Sequence, residues 1–433
     1  MKIVIVGGGF GGLKLARGLS NKPGMSVTLI DRFNYHQFQP LFYQVATAGL
    51  DASNISFPLR KVFHDSKNIN YRMAELLRIV PDENKVVTDI GDFDYDQLVI
   101  ATGADTNFFG NANMAAHALP MKSTMEALQL RNKILENFEN ALVADSPQAL
   151  QRLMNIVVVG GGPTGVELSG AIADMKRFVL PKDYPELDFT KMNIYLLEGS
   201  DEVLGNMSDK SSEQSKAYLK KLGVTVKLNT MIQDYDGKTA VMKDGSIIET
   251  AVLIWAAGIK GNVPEGVDPA LLARGNRIKV DRRCKVAGTT NIYAIGDVAY
   301  MDGDPAFPQG HPQVAPVAMQ QAEMLQNNLV RLEMKSGDKQ MIDFNYKDKG
   351  AMATVGRNLA VVDMPKPKLH FGGFVAWLVW MSLHLMLILG VKNRFFVFMN
   401  WLYNYFTRDQ NLRLIFVPKW FRKQEAMARN FRV

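Results

Sequence analysis

Cysteine is nearly absent from the 433-residue chain: Cys284 is the single one. One thiol cannot form an intramolecular disulfide, a CxxC redox pair or a cysteine-built zinc or iron–sulfur site. Histidine is scarce as well, with six residues scattered along the sequence, so no metal site is expected. An excess of one charge sign is missing over most of the length. The sequence holds 50 Lys and Arg against 43 Asp and Glu, a net of +7. Residues 392–433 carry nine basic and two acidic residues, so residues 1–391 balance to zero. A neutral body with a basic end points to an anionic surface met by one end of the molecule. Met1 leads straight into the strand-like run Lys2-Ile3-Val4-Ile5-Val6, so no secretory leader is expected. An apolar fraction of 47% with 21% charged residues excludes a disordered or collagen-like chain. The length suits two or three domains.

Glycine, in contrast, is abundant and clustered. Lys2-Ile3-Val4-Ile5-Val6 runs into Gly7-Gly8-Gly9-Phe10-Gly11-Gly12, and Asn155-Ile156-Val157-Val158-Val159 runs into Gly160-Gly161-Gly162-Pro163-Thr164-Gly165. Each is a buried-type strand, a GxGxxG turn and then apolar residues at helical spacing. The first glycine (Gly7, Gly160) permits the tight turn, and the second (Gly9, Gly162) lets backbone approach a pyrophosphate. The third (Gly12, Gly165) lets the helix pack close to the strand, so that its N-terminal N–H groups face the phosphates. A single copy is a weak signal, but each has its completion. Val27-Thr28-Leu29-Ile30 ends in Asp31, 19 residues past Gly12, and Asn193-Ile194-Tyr195-Leu196-Leu197 ends in Glu198, 33 residues past Gly165. The longer second interval contains an insertion with Pro181 and Pro185. Both carboxylates are placed to accept hydrogen bonds from ribose hydroxyls.

Two such sites suggest FAD plus a nicotinamide. Leu98 to Gly103 and Leu253 to Gly258 are short strands ending in small residues, of the kind that mark domain crossings in two-dinucleotide flavoprotein reductases. Asn291-Ile292-Tyr293-Ala294-Ile295-Gly296-Asp297 ends in a carboxylate that could take a flavin ribityl hydroxyl. A 2′-phosphate needs Arg or Lys near the second-strand terminus, whereas Glu198 is followed by Gly199, Ser200, Asp201 and Glu202, which favours NADH over NADPH.

The sequence resembles the type II NADH dehydrogenases, the monotopic NADH:quinone oxidoreductases, over essentially its whole length. The two fingerprints carry the resemblance, with residues 34–46, Trp255-Ala256-Ala257-Gly258-Ile259, Gly296-Asp297, residues 315–321 and the aromatic C-terminus. It implies an α/β fold with two Rossmann-like dinucleotide-binding domains. The FAD domain, 1–115 and 255–340, is split around the NADH domain, 116–254, and a helical membrane-binding C-terminus covers 341–433. FAD would meet Gly7, Gly8, Gly9, Phe10, Gly11, Gly12, Asp31, Arg32, Ala74, Thr102, Gly103, Asp297 and Ala318. NADH would meet Gly160, Gly162, Pro163, Thr164, Gly165, Glu198, Ala257 and Gly258.

Hydride transfer to a flavin needs no protein nucleophile, and no triad is visible. Glu167 at the second helix start reads either as a carboxylate stabilised by the helix dipole or, as the resemblance implies, as a catalytic group beside the rings with a part in quinone protonation. Ala315-Pro316-Val317-Ala318-Met319-Gln320-Gln321 resembles the family's quinone motif Ala-Gln-x-Ala-x-Gln. Gln320 matches and Pro316 replaces the first glutamine, so the expected quinone residues are Pro316, Gln320 and Gln321. Proline there also predicts a helix start. Lys349 reads as an ordinary solvated lysine or one near the flavin.

Residues 369–391 contain no Lys, Arg, Asp or Glu, long enough for a membrane span. Gly372-Gly373, Gly390, His370 and His384 interrupt that pattern, and an aromatic stretch from Phe395 to Phe406 follows between Arg394 and Arg408. A spanning helix, a buried core helix with a dimer interface, and helices lying in the membrane plane compete. The in-plane arrangement accounts for the aromatics and the basic surplus together. Nucleic acid is a poor partner for basic residues interleaved with aliphatic ones. The sequence thus predicts a non-proton-pumping NADH:quinone oxidoreductase, peripheral on the cytoplasmic side of the cell inner membrane, with exposed aromatics that would suit a homodimer. A sulfide:quinone oxidoreductase needs more cysteines than Cys284. A flavoprotein whose NADH-dependent state controls binding is the alternative of another class.

Overall fold

The computed structural model describes residues 1–334 and 341–416. The described chain divides into two compact units, each built on a parallel sheet. The first comprises Met1–Gln37, Phe57–Thr106 and Ile259–Asp348. Its five-stranded sheet runs in the order Ile292–Ala294, Gln97–Ile100, Lys2–Val6, Ser26–Asp31, Ile69–Met73, with all neighbours parallel. Lys2–Val6 is buried at every residue but its first, as a strand covered on both faces must be. The helices Phe10–Leu19 and Ala315–Glu333 pack on one another at Gly18, where a Cβ would lie 1.9 Å from Gln326 Oε1. Cys284 is fully buried in this unit, and burial pushes its thiol far above the usual range.

The second unit comprises Phe38–Ser56, Asn107–Gly258 and the chain from Lys349 onward. Its sheet repeats the same plan: Leu119–Pro120, Val252–Trp255, Asn155–Val159, Asn193–Leu197, Val224–Lys227, all parallel. The strand order in both units is that of a Rossmann-like fold, with the glycine turn after the central strand. An antiparallel sheet of Ala351–Gly356, Leu359–Pro365 and Lys368–Gly372 follows. Its first strand lies against the Pro163–Phe178 helix at Gly170, where a Cβ would stand 1.7 Å from the Val355 carbonyl oxygen. Only glycine permits that approach.

The uncharged run 369–391 is not one helix. Residues 369–372 close the strand Lys368–Gly372, Gly373 turns at φ +77°, and the helix Phe374–Leu387 ends before Gly390 at φ +83°. Fourteen residues span about 21 Å, against about 30 Å of hydrocarbon. No described helix is long and apolar enough to cross a membrane. The buried-core reading fails too, because Ala376 and Trp380 are the buried residues of this helix. In the next helix, Val391–Thr407, they are Val397 and Trp401. The same two helices expose Val375, Met386, Val391, Phe395 and Phe406, each more than half accessible. Of the basic surplus, Lys419, Arg422, Lys423, Arg429 and Arg432 lie outside the described residues.

Gly170→Ala is expected to push the Pro163–Phe178 helix off Val355 and lower stability by about 1–3 kcal/mol, read as a fall in Tm. An unchanged Tm would mean that the contact does not fix the helix.

Candidate active site

Both glycine turns are built as the sequence predicts. Gly7 and Gly160 adopt φ +107° and +109°, and a Cβ would meet the carbonyl oxygen of Ala101 in the first turn and Ala256 in the second. A Cβ at Gly12 would lie 1.9 Å from the Gly7 carbonyl oxygen, and one at Gly165 the same distance from that of Gly160. Gly9 and Gly162 are different: their φ values, −70° and −69°, suit any residue, and a Cβ would meet nothing within 4 Å. Nothing in the protein requires glycine there, so the open space fits the pyrophosphate of a dinucleotide. Neither helix start has a side-chain cap, which leaves first-turn N–H groups suited to phosphate. Pro163 and Thr164 are exposed in that first turn, and Phe10 packs edge-on against His36 at 5.2 Å.

The strand-end carboxylates repeat the same geometry. Gly8 N donates to Asp31 Oδ2 and Phe33 N to Oδ1; Gly161 N donates to Glu198 Oε2 and Ser200 N to Oε1. Burial raises the Asp31 carboxyl, with the Phe33 and Gly8 N–H groups and Arg32 opposing. These bonds fix each carboxylate at the turn and leave lone pairs for ribose hydroxyls. Ala74 N closes on the Asp31 carbonyl, whereas Arg32 points out with its guanidinium over Phe33. Thr102 Oγ1 donates to the Asn262 carbonyl, and Asn262 N to that of Gly103. Asp297 sits in the turn Gly296–Val298, half-buried. Ala257 is half-buried, and Gly258 at φ +88° faces Phe109.

The helix Ala315–Glu333 does begin at the proline, but its glutamines differ from expectation. Gln320 closes on a backbone: Nε2 donates to the Lys347 carbonyl at 3.0 Å, and Oε1 accepts from Lys347 N at 2.9 Å. Gln321 is buried, and its Oε1 accepts from Gly296 N at 2.7 Å. Both ends of the Gln320 amide are therefore committed, and Gln321 orders the turn that carries Asp297. The Gln320 amide is not laid out as the free amide that the motif predicts for a quinone carbonyl, whereas the bond made by Gln321 engages its carbonyl oxygen and not the Nε2 donor. Pro316 is half-buried, and Ala318 is buried close to Gly11. Lys349 is exposed.

Glu167, the fifth residue of the Pro163–Phe178 helix, is buried in the second unit. It lines a cavity of about 150 Å³ with Tyr43, Asp174, Arg357, Trp380 and Trp401. Burial lifts its carboxyl from the ordinary 4.5 to about 8; the Thr354 N–H, 3.4 Å from Oε1, and the Trp380 indole draw it partway back. Trp380 Nε1 has no acceptor of good geometry among the described residues, so it acts on Glu167 as a nearby dipole. The acid is therefore largely protonated at neutral pH. Burial and the charge of Glu167 push the Tyr43 phenol well up, so Tyr43 keeps its proton. Its hydroxyl accepts from Gln44 Nε2 at 2.8 Å, and Gln44 Oε1 accepts from Trp401 Nε1 at 2.7 Å. This chain of bonds holds the Phe42–Ala46 helix to the Val391–Thr407 helix. His384 stacks on Trp380 at 3.9 Å, and burial lowers its imidazole to about 4, so it is neutral.

The cavity therefore offers aromatic walls and two proton-bearing oxygens, the recognition chemistry of a flat ring with carbonyl acceptors. Tyr43, Gln44, Asp174, Trp380 and Arg357 were not singled out from the sequence. Tyr43 and Gln44 lie inside the 34–46 segment that carried the family resemblance, and Asp174 follows Glu167 by seven residues, two helical turns along the same face.

Gly162→Val is expected to leave the stability of the cofactor-free protein within about 1 kcal/mol while NADH binding is lost. Gly165→Val is expected to cost about 2 kcal/mol or more, because its side chain must displace the Gly160 carbonyl. Calorimetry and an NADH titration on the two variants separate the roles; equal loss of stability in both would refute them.

Residues 1–322 match the family model of the pyridine nucleotide-disulphide oxidoreductases, and residues 349–409 match the NDH2 C-terminal domain. The type II NADH:quinone oxidoreductase Ndh of Mycobacterium tuberculosis is 34% identical, over 92% of this chain and 87% of that protein. The type II NADH:quinone oxidoreductase of Haemophilus influenzae is 29% identical, over 83% of this chain and 86% of that protein. The structure of NDH2 from Plasmodium falciparum in complex with NADH superposes with a TM-score of 0.86 at 22% identity, covering 94% of this chain and 99% of that chain. The sulfide:quinone oxidoreductase of Aquifex aeolicus shares the fold, with a TM-score of 0.71 at 19% identity, over 94% of this chain and 95% of that chain. Two glycine turns on twin parallel sheets, a buried acid in an aromatic cavity and these matches lead to one conclusion: the chain belongs to the type II NADH:quinone oxidoreductases.

Proposed function

We propose that the chain is an FAD-dependent NADH:quinone oxidoreductase in which Glu167 serves the quinone half of the reaction. The flavin, when bound, accepts a hydride from NADH and returns two electrons to a membrane quinone. The FAD domain is 1–115 with 255–340, of which Phe38–Ser56, 107–115 and 255–258 pack in the second unit, and it is held at the Gly7–Gly12 turn, Asp31 and Asp297. The NADH domain is 116–254, held at the Gly160–Gly165 turn and Glu198. Support for NADH over NADPH comes from the acidic surroundings of Glu198, where a 2′-phosphate would be repelled.

The observation that carries the quinone assignment is the buried Glu167 in the aromatic cavity. It presents a protonated carboxyl beside the Tyr43 hydroxyl, where an acceptor that gains negative charge on reduction can be protonated. Gln320 and Gln321, with the Pro316 helix start, take an ordering role at Gly296 and Lys347. The protein associates with the membrane through its C-terminal region, 341–433. The exposed apolar faces of Phe374–Leu387 and Val391–Thr407 lie in the plane of an anionic leaflet. Lys392, Arg394 and Arg408 at the ends of the second helix support that reading. We assign the attachment to the cytoplasmic side of the cell inner membrane, and part of the apolar face to a homodimer contact. No helix among the described residues is long and apolar enough to cross a membrane, and we assign the reaction as one that does not pump protons.

Anaerobic NADH is expected to bleach the flavin band, and a short-chain quinone to restore it. Glu167→Gln should leave the bleaching rate within about twofold and slow the recovery by about 100-fold, the low end of what a positioned acid supplies. Bleaching absent in the wild type, or recovery unchanged in the variant, would overturn the assignment.

A further inference from the structure

Reduction of a quinone by NADH consumes one proton from water: NADH, quinone and one proton give NAD⁺ and quinol. The hydride supplies both electrons and one hydrogen, so the second hydrogen of the quinol must arrive through the protein. Glu167 can donate it once, and then needs a fresh proton while buried away from bulk water.

The same cavity contains a second carboxylate on the same helix. Asp174 is two turns from Glu167, about 10 Å along the axis, and both line the cavity. Direct transfer over that distance is excluded, but about 150 Å³ has room for several water molecules between polar partners. Asp174 is half-buried where Glu167 is buried, so it is the member of the pair that meets outside water. Its Oδ2 accepts from Arg357 N at 3.0 Å, a bond to backbone that leaves the other oxygen for water.

We propose that Asp174 is the entry point of a proton relay that recharges Glu167 through cavity water. The proposal rests on the quinone role of Glu167 above. In each turnover the Glu167 O–H bond breaks as its proton goes to a quinone oxygen. The resulting carboxylate takes a proton from water hydrogen-bonded to Asp174, and Asp174 replaces it from bulk water. No electrons move in this sequence.

The surrounding charges favour that direction. Arg357, on the turn after the Ala351–Gly356 strand, and Arg177, on the same helix as Asp174, both face Asp174 and stabilise its charged form. Arg408 and Asp409, after the Val391–Thr407 helix, also line the cavity. The titratable side chain facing Glu167 is Tyr43, from the Phe42–Ala46 helix. Burial raises Asp174 to about 6 and Glu167 to about 8. Asp174 is thus the stronger acid, and a proton that reaches it passes downhill to Glu167. The Arg357 guanidinium also stacks on Tyr405 at 4.4 Å and donates to the Tyr405 carbonyl, so its hydrogen bonding is shared with that residue.

The test uses the flavin-loaded, full-length enzyme and a short-chain quinone in stopped flow between pH 6 and 9. Asp174→Asn is expected to leave bleaching by NADH unchanged and to slow quinone-driven recovery about tenfold or more at pH 7.5. The solvent deuterium isotope effect on recovery should rise, because proton uptake becomes limiting. Asp174→Glu should restore recovery to within about threefold and return the isotope effect to its wild-type value. Recovery at the wild-type rate in Asp174→Asn, with the same pH profile and isotope effect, overturns the relay. Equal slowing in both variants with an unchanged isotope effect also overturns it and makes Asp174 an anchor for Arg357 alone. A wild-type enzyme whose bleached flavin is not recovered by quinone would instead remove the underlying quinone role of Glu167.

Discussion

The close approach of the Pro163–Phe178 helix to its two neighbours is the constraint on which the site depends. At Gly165 the helix touches the turn that begins at Gly160, and at Gly170 it touches the Val355 carbonyl, in both places with no room for a side chain. The first contact aims the helix N-terminus at the open space beside Gly162, where the proposed NADH pyrophosphate would be held. The second presses Glu167 under the Ala351–Gly356 strand, where the carboxyl is buried and the Thr354 N–H faces its Oε1. One helix therefore presents an uncapped N-terminus at the glycine turn and a buried carboxyl on its flank, which is what the proposed NADH and quinone roles require. Its N-terminal dipole alone would favour an ionised Glu167; burial acts the other way and is the larger effect, as the rise to about 8 shows.

The aromatic residues of the two C-terminal helices divide their work by face. Trp380 and Trp401 are buried and wall the cavity, with Trp401 bonded to Gln44 and His384 stacked on Trp380. On the opposite faces Phe395, Phe396, Phe398 and Phe406 are exposed. An apolar face of that extent lacks a partner within the described chain and requires one outside it, for which a lipid surface is the natural solvent. The cavity lining and the membrane face are thus two sides of the same helices, an arrangement suited to a substrate that dissolves in lipid.

Much of this was legible in the sequence, and the reason is locality. A strand, a GxGxxG turn and a helix are contiguous, so the contacts of Gly7 with Gly12 and of Gly160 with Gly165 are set within a dozen residues. Asp31 and Glu198 follow at the end of the neighbouring strand and were equally readable. The breaks at Gly373 and Gly390 were visible, and they did end the apolar helix. What failed to show was long-range. Asp174 was not singled out, because only the distant segment around Arg357 and Tyr405 makes it part of a cavity. The amides of Gln320 and Gln321 illustrate the converse. Their pattern matched a quinone motif, but an amide serves equally well to clamp backbone, and the Lys347 and Gly296 N–H groups that they bond lie outside the motif.

The central claim is that burial keeps Glu167 protonated at working pH. An infrared titration of the wild type against Glu167→Gln measures this directly, through the carbonyl stretch of the protonated carboxyl. The account predicts a band assigned to Glu167 that persists through neutral pH and titrates near 8. A band that disappears near the ordinary carboxylate value, with Glu167 fully ionised at neutral pH, would contradict it.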